Sequence, residues 1–183
     1  MKNLPRKTIF KRFFKYIIFL GVLFIVITKI ASYFTINYTP SYPIGVYFKS
    51  NVTKIERNHY YLFCPTYDKY MKFAETNKFW ENMSKSCGKT PMYLKKAYGL
   101  PGDYIEVKEK GVFVNGVIVP NSQIVLNNKI FKKNYSIQLK ENEYFMLSDY
   151  NKHSYDSRYF GIINKNQILK QVYPVLTEDV LNK

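Results

Sequence analysis

The strongest hydrophobic pattern lies near the start of the chain. Residues 16–28 carry no charge, Lys29 interrupts, and residues 30–34 resume the apolar run. Taken over 13–34, the segment reaches the ~20 residues that cross a bilayer, with Lys15 and Lys29 snorkelling or at an interface. Beyond it the period changes. Residues 37–48 hold Pro40, Pro43 and Gly45, predicting an irregular stretch that turns into a strand. Residues 60–63 read as a short strand. Over 66–85, Tyr67, Tyr70, Met71, Ala74, Lys78 and the Phe79/Met83 pair approximate helical spacing, and Gly88 and Pro91 end it. This predicts a small helical insertion. Strand signals then dominate: 92–98 running into a turn at 99–103, 104–107, a 112–119 hairpin about Asn115-Gly116, 144–147, 161–163 and 168–175. The expected fold is mainly β, an antiparallel sheet domain with that insertion and one N-terminal transmembrane helix.

Charge sets the organisation. The chain carries a formal +15, with 28 basic and 13 acidic residues among 183. An anionic partner is one reading. A Lys- and Asn-rich bias over a solvated surface is the other, and it is the one expected, since no Arg-rich helix or RNA-binding aromatic signature appears. No specific nucleic acid is therefore expected as a partner. Lys2, Arg6, Lys7, Lys11, Arg12 and Lys15 cluster before the apolar run without any acidic residue. The expected order is a cytoplasmic basic tail at 1–12, an anchor at 13–34 and an extracytoplasmic domain at 35–183. A cleaved signal peptide and a buried soluble helix are the competing readings; the first would place its cleavage site near Ala31-Ser32. Cys64 and Cys87 leave two readings open. In an oxidising compartment they form a disulfide, worth ~3 kcal/mol in the chain-entropy model; otherwise they are free thiols. No His/Cys/Asp/Glu cluster has metal-ligand spacing, and neither metal nor cofactor is expected.

Three segments carry candidate chemistry: 37–47 with Asn37, Thr39, Ser41, Pro43, Gly45 and Tyr47; 93–103 with Lys95-Lys96; and 148–161 with Asp149, Ser154, Asp156 and Arg158. Together, and in this order behind an anchor, they resemble the conserved boxes of signal peptidase I (peptidase family S26). The first box, the Phe63-Cys64-Pro65 segment and Cys87 resemble its conjugative-transfer, TraF-type branch. The resemblance implies a membrane-bound serine endopeptidase at the inner membrane, with Ser41 as nucleophile and Lys95 as base. Such a base works only when neutral, so its pKa must fall from about 10.4 towards ~7–8, as burial can make it do. Neighbours on a strand face opposite sides, so Lys95 enters the site while Lys96 faces away.

The resemblance further implies that Asp149 pairs with Lys96, that Thr39 and the Ser41 N–H form the oxyanion hole, and that Ser154 orients the lysine. Asp156 and Arg158 become a structural pair. Implied substrates are preproteins or pilin-like precursors with small residues beside the scissile bond, cleaved during secretion or conjugation. Membrane lipids are the other partner, and Tyr42 and Tyr47 are expected to be exposed and to lean on them. Two departures from the general family bear on substrate choice: 148–151 is Ser-Asp-Tyr-Asn rather than Gly-Asp-Asn-Arg, and no Met follows Ser41. Singly, Ser41 reads as a turn serine, Lys95 as a surface lysine, Thr39 as a local cap and Asp156/Arg158 as a surface ion pair. Two rival functions remain: a self-cleaving repressor, which would lack the anchor, and a non-catalytic anchored scaffold.

Overall fold

The structure, a computed structural model, describes residues 6–80, 83–126, 128–131 and 134–181. Lys2 of the basic cluster and positions 81–82 of the expected insertion lie outside the described residues. The chain divides into two compact units, one ending at Thr35 and one beginning at Ile36.

The first unit is helix α1 (Arg6–Ala31). The stretch Phe10–Ala31 is 22 residues long, and its most apolar 18 residues have a mean hydropathy of 2.2, none of them buried. At 1.5 Å per residue it spans about 33 Å, long and apolar enough to cross a bilayer. The helix differs from expectation at both ends. It takes in the Arg6–Arg12 stretch assigned to a tail, and it stops at Ala31 rather than 34. Ser32 and Tyr33 turn, and Phe34 opens strand β1 (Phe34–Asn37), whose Phe-Thr-Ile sequence favours extended backbone.

The second unit is built on antiparallel strands β2 (Gly45–Ser50), β3 (Tyr60–Phe63), β4 (Tyr93–Gly99), β9 (Glu143–Leu147), β10 (Ile163–Asn164) and β11 (Ile168–Thr177). The sheet order is β1-β2-β11-β3-β4-β9-β10. A second sheet has the order β7-β6-β5-β8, from β5 (Tyr104–Lys108), β6 (Gly111–Val114), β7 (Val117–Ile118) and β8 (Tyr135–Gln138). Strand β8 is not among the strands expected from the sequence, although Tyr135 and Ile137 alternate with Ser136 and Gln138; its two apolar positions are half-buried. Asn115 and Gly116 both take positive φ, 50° and 81°, as a type I′ hairpin demands.

Two glycines mark close approaches. A Cβ on Gly45, at φ +147°, would stand 2.1 Å from the Leu176 carbonyl oxygen, where β2 meets the end of β11. A Cβ on Gly99 would press within 2.8 Å of Phe145, Ile105 and Leu139, where β4 hands over to the second sheet. The turn that follows is tied by Asp103, which accepts from Arg57 Nη2 at 2.8 Å, Asn115 Nδ2 at 2.7 Å and Leu100 N at 2.6 Å.

The insertion is less helical than its periodicity implies. Helix α2 runs only Lys69–Thr76, capped by the Asp68 side chain on the N–H groups of Tyr70 and Met71. It buries Met71 and Ala74 and ends at Asn77, because Lys78 at φ 59° breaks the helical path. Phe79 and Met83 therefore belong to a loop. Cys64 and Cys87 are joined in a disulfide with Cα atoms 5.6 Å apart, closing the segment at its base.

Candidate active site

Residues on β4 alternate between two environments. Tyr93 and Ala97 face one core cluster, shared with Phe63, Phe160 and Trp80; Leu94 faces another, shared with Tyr42 and Tyr47. The period of two puts Lys95 with the first set and Lys96 with the second. Lys95 is only 2% exposed. Burial pushes its ammonium down to about 8; the Asp156 charge acts to raise it and Arg158 to lower it further. Its Nζ lies 5.6 Å from the Tyr93 ring. That ring is flanked in turn by Phe63, Phe160 and Trp80 of the insertion, at centroid distances of 5.9, 5.9 and 6.2 Å.

Lys96 lies on the opposite face and reaches Asp149 Oδ2 at 2.8 Å. Its ammonium also sits over the rings of Tyr60 and Tyr42, at 5.1 and 5.6 Å. Asp149 also accepts from Tyr98 Oη at 2.6 Å and lies 3.0 Å from Tyr42 Oη. Burial pushes the Asp149 carboxyl up, but the hydrogen bonds from Lys96, Tyr98 and Tyr42 outweigh it and hold it below the usual range.

Ser41 sits in the Pro-flanked loop between β1 and β2, half-buried. Its Oγ is 3.4 Å from Ser154 Oγ, and its carbonyl accepts from Ser148 Oγ at 2.6 Å. The neighbouring Pro40 carbonyl accepts from Asn151 Nδ2 at 3.0 Å. Three consecutive loop residues, 40, 41 and 42, are thereby fastened to 147–151, since Tyr42 Oη also donates to the Leu147 carbonyl at 2.9 Å. Among the described residues no hydrogen bond joins Lys95 Nζ to Ser41 or to Ser154. The expected link of Ser154 to the lysine is thus replaced here by one to the Ser41 hydroxyl. Thr39 Oγ1 donates to Asn37 Oδ1 at 2.9 Å, so its proton points into its own loop.

The expectation that Tyr42 and Tyr47 are exposed is overturned: they are 1% and 0% exposed. Each hydroxyl finds an interior acceptor, the Leu147 carbonyl for Tyr42 and the Pro43 carbonyl, at 2.8 Å, for Tyr47. Their rings pack edge-on against Tyr60 at 4.9 and 6.1 Å. A buried tyrosine with its hydroxyl satisfied has no reason to face lipid.

Asp156 and Arg158 are both 0% exposed, not a surface pair. Asp156 caps helix α3 (Ser157–Phe160) and receives both Nε and Nη2 of Arg158 at 2.8 Å, as well as the Ser148 N–H at 3.0 Å. Arg158 Nη1 donates to the carbonyls of Asn121, Gln123 and Lys152, and Nη2 to that of Ser148. A fully paired guanidinium thus fixes the loop that holds Ser154 and Asp149. His59 and His153 are exposed.

The roles of Ser148 and Asn151 had no signal in the sequence, because their partners lie more than 100 positions away. Asn37 did leave one, since Asn two residues before Thr39 is an Asx-turn signature.

Comparison with known proteins bears on this geometry. Residues 6–176 match the family described as signal peptidase, peptidase S26. The chain is 30% identical over 148 residues to the plasmid transfer protein TraF of Escherichia coli, covering 78% of this chain and 82% of that one. It is 31% identical over 86 residues to signal peptidase I S of Bacillus subtilis strain 168, covering 42% of this chain and 47% of the other. Among solved structures, a signal peptidase I from Enterococcus faecalis V583 is similar at a TM-score of 0.40 and 20% identity, covering 67% of this chain and 99% of that one.

Proposed function

The chain belongs to the signal peptidase S26 family, and on that premise we propose that it is a membrane-bound serine endopeptidase with Ser41 as nucleophile and Lys95 as general base. The observation that carries this reading is Lys95: a lysine removed from water, its ammonium pushed down to about 8, on the strand face that looks toward the Asp156 loop. A surface lysine near 10.4 would stay protonated and could not accept a proton at neutral pH.

Chemistry follows from these groups. Neutral Lys95 takes the Ser41 hydroxyl proton as Oγ bonds to the scissile carbonyl carbon. The carbonyl π pair moves onto oxygen, where the Ser41 N–H and the Thr39 hydroxyl receive it. Lys95 then returns the proton to the leaving amine as the C–N bond breaks, leaving an acyl-enzyme. Water, deprotonated by Lys95, attacks that ester; the acid leaves and Ser41 recovers its proton. The separation of Ser41 from Lys95 in the free protein fits a catalytic hydrogen bond that tightens on substrate. Ser154, against the Ser41 hydroxyl, holds it in place until then.

The similarity to signal peptidases and to a plasmid transfer protein supports a substrate class for this site. We read that class as signal-peptide-bearing or pilin-like preproteins with small residues at the scissile bond. Helix α1 is then a single anchor, with its basic end cytoplasmic and the unit from Ile36 onward extracytoplasmic, at the lipid surface.

The test is processing of a model preprotein in membranes by wild type, Ser41→Ala and Lys95→Ala. Loss in both inserted, folded variants is expected. Cleavage retained by Lys95→Ala would shift the search for the base, and absence of cleavage by wild type across several preproteins would favour a scaffold.

A further inference from the structure

Asn37, at the end of β1, is 7% exposed, and each polar atom of its side chain is engaged within a single loop. Nδ2 donates to the carbonyls of Thr39 at 3.0 Å, Tyr42 at 3.0 Å and Pro43 at 3.2 Å. Oδ1 accepts from Thr39 N at 3.2 Å and from Thr39 Oγ1 at 2.9 Å. The loop from Thr39 to Pro43 thus wraps one carboxamide, with Ser41 at its apex. On its other side Asn151 holds the Pro40 carbonyl and Ser148 the Ser41 carbonyl. A trans peptide places N–H opposite C=O, so fixing the Pro40 carbonyl fixes the direction of the Ser41 N–H. Thr39, whose hydroxyl has one proton, spends it on Asn37.

We propose that Asn37 is a positioning residue for the oxyanion hole: its carboxamide sets the loop that carries Ser41 and parks the Thr39 hydroxyl, which turns from Asn37 Oδ1 to the oxyanion when substrate is attacked. The inference rests on the Ser-Lys peptidase reading. Asn37 never touches the substrate; it acts through Thr39 and the Ser41 backbone. On this reading the Thr39 hydroxyl need only rotate to complete the hole, which costs little reorganisation.

The test uses the full chain in phospholipid vesicles with a preprotein carrying small residues at the cleavage point. Asn37→Ala is expected to lower kcat about 10²-fold with KM changed less than about threefold, since the lost interactions act on the transition state. Thr39→Ala should give a similar loss. The double variant should fall no more than about threefold below the worse single, because the two residues act as one unit. Losses that multiply, or an Asn37→Ala protein with wild-type kcat, overturn the proposal. Asn37→Asp keeps the acceptor for Thr39 but not the three donations, and covers the case in which the alanine variant does not fold; wild-type kcat in it overturns the proposal too. Ser41→Ala in the same assay reports on the peptidase reading alone. Independently of cleavage, amide exchange of the 38–43 segment tests whether Asn37 sets the loop. At least tenfold faster exchange in Asn37→Ala, with the strands unchanged, is expected, and unchanged exchange overturns it.

Discussion

Lys96 Nζ lies 2.8 Å from Asp149 Oδ2, on the face of β4 opposite Lys95. One ion pair therefore joins the lysine strand to the loop that also grips the Ser41 segment through Ser148, Asn151 and Tyr42. With Lys96 held on the face of Tyr42 and Tyr60, strand alternation turns Lys95 to the face of Tyr93. The pair is half-buried, between the near-zero value of an exposed bridge and the high stakes of a buried one.

Asp149→Asn should destabilise the domain by about 2 kcal/mol, since it removes the charge that Lys96, Tyr98 and Tyr42 all serve. Denaturant midpoints for Asp149→Asn, Lys96→Met and the double variant check this. Additive losses would show that the two residues are uncoupled. The folded carboxyl lies below its ordinary value, so its contribution is present above about pH 3.9 and lost as pH falls through the folded value.

Cleavage should climb with pH and level off above about 8, as Lys95 loses its proton. Stability carries the same signature. Between about 8 and about 10.4 the folded lysine is neutral and the unfolded one protonated, so the unfolded state binds more protons and stability rises with pH. The gain over that window is on the order of 3 kcal/mol. Below it both states hold the proton and the burial cost is felt in full. Lys95→Met should be more stable than wild type near pH 7, with the difference shrinking toward pH 10. A constant difference would remove Lys95 as its source.

Arg158→Met should cost about 3–5 kcal/mol, because it strands the buried Asp156 carboxylate and leaves four carbonyls without their donor. Arg158→Lys should recover little, since an ammonium cannot reproduce the fork. Thermal melting of the two variants is the measurement; a lysine variant close to wild type would show that charge alone suffices.

Replacing both cysteines by serine should lower stability by about 3 kcal/mol, the loop closed being 23 residues. The loss should fall first on the insertion, and the looser seating of Trp80 on Tyr93 should move the acid limb of cleavage to higher pH. An unchanged limb would separate the insertion from the environment of Lys95.

Much of this protein was legible without coordinates, for a local reason. Apolar runs, turn residues and alternation act over a few positions, so α1, the Asn115-Gly116 hairpin and the opposite facing of Lys95 and Lys96 are written in short stretches of chain. The same locality misled where tertiary packing overruled it. Helical spacing over 66–85 yielded two turns of helix, because Lys78 adopts a left-handed backbone and the disulfide closes the rest as a loop. Aromatic residues beside Ser41 looked fit for a lipid surface, but only the fold could bring Tyr42 Oη to Leu147 and bury it. The ties from Ser148 and Asn151 to the Ser41 loop, the depth of Lys95 and the burial of Asp156 with Arg158 join segments far apart in the chain. Their energies depend on desolvation and on distances that no local pattern encodes, so only the tertiary structure decided them.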